Sequence, residues 1–264
     1  MSRNSASSRA IPVAKLIEDV MSDPFVPLVW GMNKPGMQGI GHRPHIEFME
    51  DDESKEDYGY RTVFDAEEEW LEARDYAVKK AQRYARLGYH KQIINRLLEP
   101  FSHITVVVTS TEWSNFFALR DHEAAEPHFR LLAGEIRKAM GFAQVNVLPP
   151  GRWHWPFVSI DDLHIEDSDG IPALASDRNA IALSVARCGS TSYKTVDGFD
   201  MNLERAIELH DKFVREKPMH ASPTEHQAKA DDLTPSGVPA NPHLSGNFCH
   251  GWIQYRKTIP DETA

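Results

Sequence analysis

The stretch from Asp65 to Gly88 is the strongest constraint on what this chain can fold into. Asp65 and Glu68 form a capping pair, whose side chains satisfy the free N–H groups of a first helical turn. Trp70, Leu71, Ala77, Ala81 and Tyr84 then return on one helical face, and Gly88 supplies a stop. An earlier helix is expected after Pro12, with Val13, Leu16, Ile17 and Val20 at helical spacing and Pro24 beyond its end. Further helices are expected over His90–Leu98, closed by Pro100; through Phe116–Arg120 after a cap at Ser110 or Thr111; and from Pro127 to about Met140. Two more follow, over Asp177–Arg187 and Asn202–Arg215. Ile104–Thr109 is β-branched enough for a strand, and Trp252–Tyr255 reads as a terminal strand. Pro27–Gly41 and Asp231–Gly246 read as loops, with the acidic run Glu47–Asp57 as a solvated continuation of the first. Gly141–Gly170 carries no clear assignment. Strict βαβ alternation is lacking, which predicts an α+β fold: one domain over residues 1–264, with long helices packed on a modest, mainly antiparallel sheet.

Composition removes several function classes. No apolar run approaches the roughly 20 residues of a membrane span, and the polar N-terminal stretch is no secretory leader, so a cytoplasmic location is expected. Cys188 and Cys249 supply neither a disulfide framework nor the spacing of a zinc site, so no metal is expected. A formal charge of -10 argues against binding a nucleic-acid polymer, which requires many phosphates to be neutralised. One small anion, held by a few converging arginines, remains open.

Five segments carry candidate chemistry. Ser2-Arg3-Asn4-Ser5-Ala6-Ser7-Ser8-Arg9 is rich in hydroxyls and precedes a helix; a hydroxyl and an arginine spaced like Ser7 and Arg9 can take one phosphate from the same side, although a loose chain terminus is the plainer reading. In Asn95-Arg96-Leu97-Leu98-Glu99-Pro100, Arg96 stands among core-like residues and needs an anion, either a carboxylate or a phosphate. Asn115-Phe116-Phe117-Ala118-Leu119-Arg120 reads as a helix with buried aromatics and two polar edges. Gly189-Ser190-Thr191-Ser192-Tyr193 is a polar turn suited to phosphate oxygens, and Ser222-Pro223-Thr224-Glu225-His226 is also a good helix start. Glu68, Glu69, Glu72 and Asp75 suggest a metal-dependent nucleotide hydrolase only weakly, because such a run usually faces water.

Together these segments resemble the flavin-dependent thymidylate synthases, in a circularly permuted phage and actinobacterial branch. Ser2, Asn4, Ser7 and Arg9 match the rear of the family pattern R-H-R-x-x-S-x-N-E-x-S-x-R-Y; its His-Arg pair has no counterpart ahead of Ser2. Arg96 with Pro100, Asn115 to Arg120, and Ala125-Glu126 match the downstream elements. The family's A-R-V-S-Y and S-P-F-E-H are matched by Ser190 to Tyr193 and Ser222 to His226, placed late in the chain. Ser2 to Pro12, Trp30 to Gln38 and Gly251 to Lys257 match the permuted branch.

The resemblance implies the permuted flavin-dependent thymidylate synthase fold and the methylation of dUMP to dTMP. FAD would be the cofactor, with methylenetetrahydrofolate and NADPH as co-substrates. It implies a homotetramer with sites built between subunits, located in the host cytoplasm if phage-encoded. Ser7, Arg9 and Arg96 would hold the dUMP phosphate, Arg120 would act catalytically at the uracil, and Glu126 would lie on the substrate side. Asn4, Asn115, Ser192 and His226 would contact FAD. Two departures, Glu126 for Gln and Gly189-Ser190 for Ala-Arg, leave open a pyrimidine nucleotide hydroxymethylase or a catalytically silent nucleotide-binding homologue.

Overall fold

The computed structural model describes residues 1–50, 60–166, 172–174, 176–191, 201–249 and 251–263. Among them are seven α-helices and four small antiparallel sheets of two or three strands, a mixed composition compatible with the α+β expectation. The expected sheet is divided into four because its strands are only two to six residues long. The chain forms two compact units, one of Met1–Ser7, Ile104–Trp113 and Gln144–Ala264, the other of Ser8–His103 and Ser114–Ala143. No helix among the described residues is long and apolar enough to cross a membrane.

In the second unit the Asp65–Gly88 signal becomes the helix Ala66–Arg86, with Asp65 Oδ1 accepting from the Glu67 and Glu68 amides at 2.9 and 3.1 Å. Its Val78 and Ala81 pack with Leu16 and Val20 of the helix Val13–Ser22, and with Ile94, Leu98 and Phe101. His90 caps a short helix, Lys91–Ile94, which tightens into 3₁₀ turns over Asn95–Leu97 and Glu99–Phe101. The expected His90–Leu98 helix is thus shortened, as the missing N–H of Pro100 and the tight turns before it dictate. The acidic run requires a correction: His45–Glu50 is a strand paired with Tyr60–Asp65, and residues 51–57 lie outside the described residues. Ile46 and Phe48 alternate with polar neighbours at the period of a strand, a signal hidden under the count of acidic side chains.

In the first unit the helix Asp177–Gly189 is buried nearly all round, from Ala180 to Ala186 and again at Cys188. Ser176 caps it, and it packs with Met201 and Ala206 at the start of the helix Leu203–Arg215, itself capped by Asn202. Strands Trp153–His154, Ala228–Ala230 and Trp252–Gln254 make a three-stranded sheet. The N-terminal stretch is a strand rather than a loose terminus: Ser2–Ser5 pairs antiparallel with Val106–Thr109, placing Ser2 opposite Thr109 and Asn4 opposite Val107. Opposed residues share a face, so Ser2, Asn4, Val107 and Thr109 point to one side of this ribbon.

Gln254 anchors that side. Its amide nitrogen donates to Ser2 Oγ at 3.2 Å and to the Glu225 carbonyl at 2.9 Å. Gly246, at φ 56°, lies under this side chain, where an added Cβ would stand 2.7 Å from Gln254 Cδ. Gly237 has an equally left-handed φ of 79° but open space around it. Gly246→Ala is therefore expected to cost about 3 kcal/mol of unfolding free energy, combining left-handed strain with overpacking. Gly237→Ala bears only the backbone term, about 1 kcal/mol. Urea unfolding of the two variants makes the comparison, and equal losses would refute a packing role for Gly246.

Candidate functional site

The Ser2–Thr109 ribbon holds the end of the first motif against three others within its unit. Asn4 Nδ2 donates to the Cys188 carbonyl at 2.6 Å, and Ser222 Oγ donates to Asn4 Oδ1 at 3.1 Å. The Ser222–Glu225 segment is a 3₁₀ turn with Pro223 and Thr224 buried. Glu225 accepts from Arg256 Nη1 at 2.5 Å and from Asn247 Nδ2 at 3.2 Å, while Arg256 also pairs with Glu262 at 2.8 Å. Residues that the sequence shows in separate motifs, Ser2 and Asn4, Ser222 and Glu225, and Gln254 and Arg256, are thus fastened together by side-chain hydrogen bonds, with Asn4 also held to Cys188.

At the centre lies His226, with no exposed surface. Its Nδ1 is 2.8 Å from Thr109 Oγ1, and its Nε2 has no hydrogen-bond partner among the described residues. Burial, reinforced by the charge of His154, depresses its pKa to about 4, so the ring is neutral at neutral pH. The next residue, Gln227, is also fully buried and donates to Ser184 Oγ at 3.0 Å, which in turn donates to the Pro156 carbonyl at 2.8 Å. Cys188 completes the seam as a thiol, since burial pushes its pKa up to about 12 against hydrogen bonds from Ser184 and Gln227. A thiol held this firmly protonated is no nucleophile. The seam offers neutral donors and acceptors, the chemistry suited to an uncharged ring system.

The second unit carries the candidate arginines Arg9, Arg96 and Arg120. Asn95, fully buried, donates through Nδ2 to the carbonyls of Ser8 at 2.6 Å and Ile11 at 2.9 Å, which pins the turn bearing Arg9 to the segment bearing Arg96. Ser8 Oγ donates to Glu99 Oε1 at 2.5 Å. Arg96 corrects the sequence expectation: its side chain is 65% exposed rather than set in the core, and it pairs only loosely with Glu99, at 3.7 Å. Helical phase accounts for the difference, since Ile94, Asn95 and Leu98 take the inward positions of these short turns. Arg9 is exposed as well. Exposed ion pairs are weak, so an incoming dianion could displace Glu99 at little cost.

The remaining candidates are more dispersed. Asn115 and Arg120 are exposed on the helix Ser114–Arg120, whose Phe116 and Phe117 are half-buried where full burial was expected. The helix is only seven residues long and has no inward face of its own. The Arg120 guanidinium lies 5.8 Å from the centre of the Phe129 ring. Glu126 caps the helix Pro127–Phe142, accepting from the amides of His128 and Phe129, both at 3.1 Å, and lies 2.5 Å from His128 Nδ1. Partial burial raises its pKa, but these hydrogen bonds outweigh it and keep the carboxylate ionised below its ordinary value. Ser7 is half-buried, and Ser192 lies outside the described residues. No group of three or more His, Cys, Asp or Glu among the described residues is placed to hold a metal ion.

Thr109, Asn95, Gln227 and Gln254 escaped the sequence reading. Each is a polar residue beside apolar ones within a short segment, and only tertiary contact gives it a role. No protein-family model, curated protein or solved structure matches this chain, so the arrangement stands on its own residues.

His226 also makes the site pH-sensitive. Its pKa is 6.5 ordinarily and about 4 in the fold, so the unfolded chain takes up the proton first as pH falls. The stability that neutral burial contributes is complete above pH 6.5 and is lost progressively down to about 4. The loss is at most about 3 kcal/mol. His226→Gln is expected to flatten stability against pH in that window, measured by urea titration above and within it. Parallel curves for the two proteins would show that His226 is not the titrating group.

Proposed function

We propose that this chain is a flavin-dependent thymidylate synthase that methylates dUMP to dTMP with FAD, methylenetetrahydrofolate and NADPH. The observation that carries the reading is the hydrogen bond from Ser222 to Asn4, 3.1 Å long across 218 positions of sequence. It joins two segments that the resemblance assigns to one flavin, beside a buried imidazole with an unpartnered Nε2. A buried polar atom without a partner is costly, and on this reading the fold opens over His226, which has no exposed surface here, for a bound ring system to satisfy it. Asn4 and His226 would hold FAD, together with Asn115 and Ser192 from other segments. The flavin supplies the redox chemistry when bound.

On this reading Ser7, Arg9 and Arg96 bind the nucleotide phosphate, and Arg120 stabilises negative charge developing on the pyrimidine. Glu126 lies on the substrate side, and its carboxylate, which only accepts, would favour a donor group on the ligand. On this reading the sites are completed between subunits of a homotetramer. The neutrality of Cys188 and His226 agrees with a reaction in which no enzyme nucleophile attacks the base.

The test is a visible absorbance spectrum of the purified protein supplied with FAD, with and without dUMP. Flavin bands that shift when dUMP is added are expected; a protein that takes up no flavin would end the proposal. Arg96→Ala is expected to weaken dUMP binding about 10- to 100-fold, the worth of a charge-assisted phosphate contact, without altering flavin uptake. Arg120→Ala is expected to lower turnover at least as much. Unchanged constants in either variant would remove that arginine from the site.

A further inference from the structure

The carboxylate of Glu99 stands between two donors from different stretches of the second unit. Its Oε1 accepts from the Ser8 hydroxyl at 2.5 Å, and its Oε2 lies 3.7 Å from Arg96 Nη1. Ser8 precedes Arg9 on the turn before the helix Val13–Ser22, and Arg96 belongs to the 3₁₀ turn Asn95–Leu97. A hydroxyl and a guanidinium converging on two oxygens of one anion is the donor set that phosphoryl oxygens take. Here a side chain of the chain itself takes it.

The donors are fixed, whereas the carboxylate is free to leave. Asn95 donates to the carbonyls of Ser8 and Ile11 at 2.6 and 2.9 Å, and Lys91 Nζ donates to the Ala10 carbonyl between them at 2.8 Å, so the turn is held at three carbonyls. Leu98 and Phe101 are buried on either side of the Glu99–Pro100 step, which anchors the backbone beneath the carboxylate. Only the Glu99 side chain, 40% exposed, has to turn aside. Its release forfeits contacts that water already weakens, while a phosphate dianion brings more charge and a further acceptor oxygen.

We propose that Glu99 is a resident anion: it occupies Ser8 and Arg96 in the free protein and is displaced by the phosphate of the ligand. This makes Ser8 a further phosphate-binding residue and Glu99 a determinant of affinity for phosphate-bearing ligands. That a pyrimidine nucleotide brings the phosphate rests on the function proposed above; displacement by a phosphoryl group does not.

Calorimetric titration of the full-length protein with dUMP, and separately with inorganic phosphate, tests the proposal. Glu99→Gln keeps the size of the side chain and loses its charge, so the Kd for both ligands is expected to fall about fivefold, the worth of an exposed ion pair no longer in competition. Glu99→Ala replaces this variant if it does not fold. Adding Ser8→Ala to Glu99→Gln is expected to take the gain back, since the hydroxyl is lost while the backbone carbonyl that Asn95 holds is kept. Wild type that binds dUMP as tightly as Glu99→Gln overturns the inference and leaves the proposed function standing. A gain that survives Ser8→Ala is a general effect of removing negative charge and overturns it too. A gain for inorganic phosphate that Ser8→Ala reverses, in a protein that binds no dUMP, upholds the role of Glu99 and overturns the nucleotide. Binding of neither ligand by any variant overturns both.

Discussion

The pairing of Ser2–Ser5 with Val106–Thr109 is the constraint on which the rest of the candidate site depends. Four residue pairs fix which side chains look inward, and a slip of one position would send Ser2, Asn4 and Thr109 to the opposite face. Each of these three reaches a different element: Ser2 the Gln254 amide, Asn4 the end of the Asp177–Gly189 helix and Ser222, Thr109 the imidazole of His226. A strand made of serine, arginine and asparagine has little intrinsic preference for the extended state. Its inward side chains supply the binding energy instead, so the register and the hydrogen bonds form together or not at all.

The two units divide the chemistry by charge. In the first, burial has driven both titratable groups of the seam to their neutral forms, His226 downward and Cys188 upward. In the second, Arg9 and Arg96 stay in water, and Asn95 holds their backbone in place from below. The seam residues Ser184, Cys188, His226 and Gln227 are wholly buried, and their hydrogen bonds run to one another, to Thr109 and to backbone. An exposed guanidinium suits a phosphate, which brings its own charge and finds its partner by attraction.

What the sequence made legible was local. Asp65, Asn202 and Pro127 mark helix starts because a capping side chain or a missing N–H acts within one turn of its own position. The strand at Ser2–Ser5 and the strand hidden in the acidic run were not legible, because their pairing energy comes from distant partners. Arg96 was misplaced for a related reason: in turns of only three or four residues the helical period does not run long enough to decide which side faces inward. The resemblance supplied the candidate residues of the motifs. Gln254 stands in the matched stretch Gly251–Lys257, but its bonds to Ser2 and Glu225 were not readable, and neither were those of Thr109 and Gln227 to His226 and Ser184, because tertiary contact leaves no spacing along the chain.

Gly189-Ser190, where the pattern this chain resembles has Ala-Arg, has an explanation in packing. A methyl group at Gly189 would stand 2.8 Å from Phe213 Cζ and 3.3 Å from Pro223 Cγ, so glycine here lets the Leu203–Arg215 helix and the Ser222 turn close on the helix end. Ser190 then bonds back to the Ala186 carbonyl at 2.7 Å instead of presenting a cation. Glycine and serine are therefore one adjustment, which tightens the support under Asn4 and removes a charge from the same turn. Close packing at Gly189 and the back-bonded Ser190 thus stand at the end of a helix whose Ser184 and Cys188 are wholly buried with His226 and Gln227.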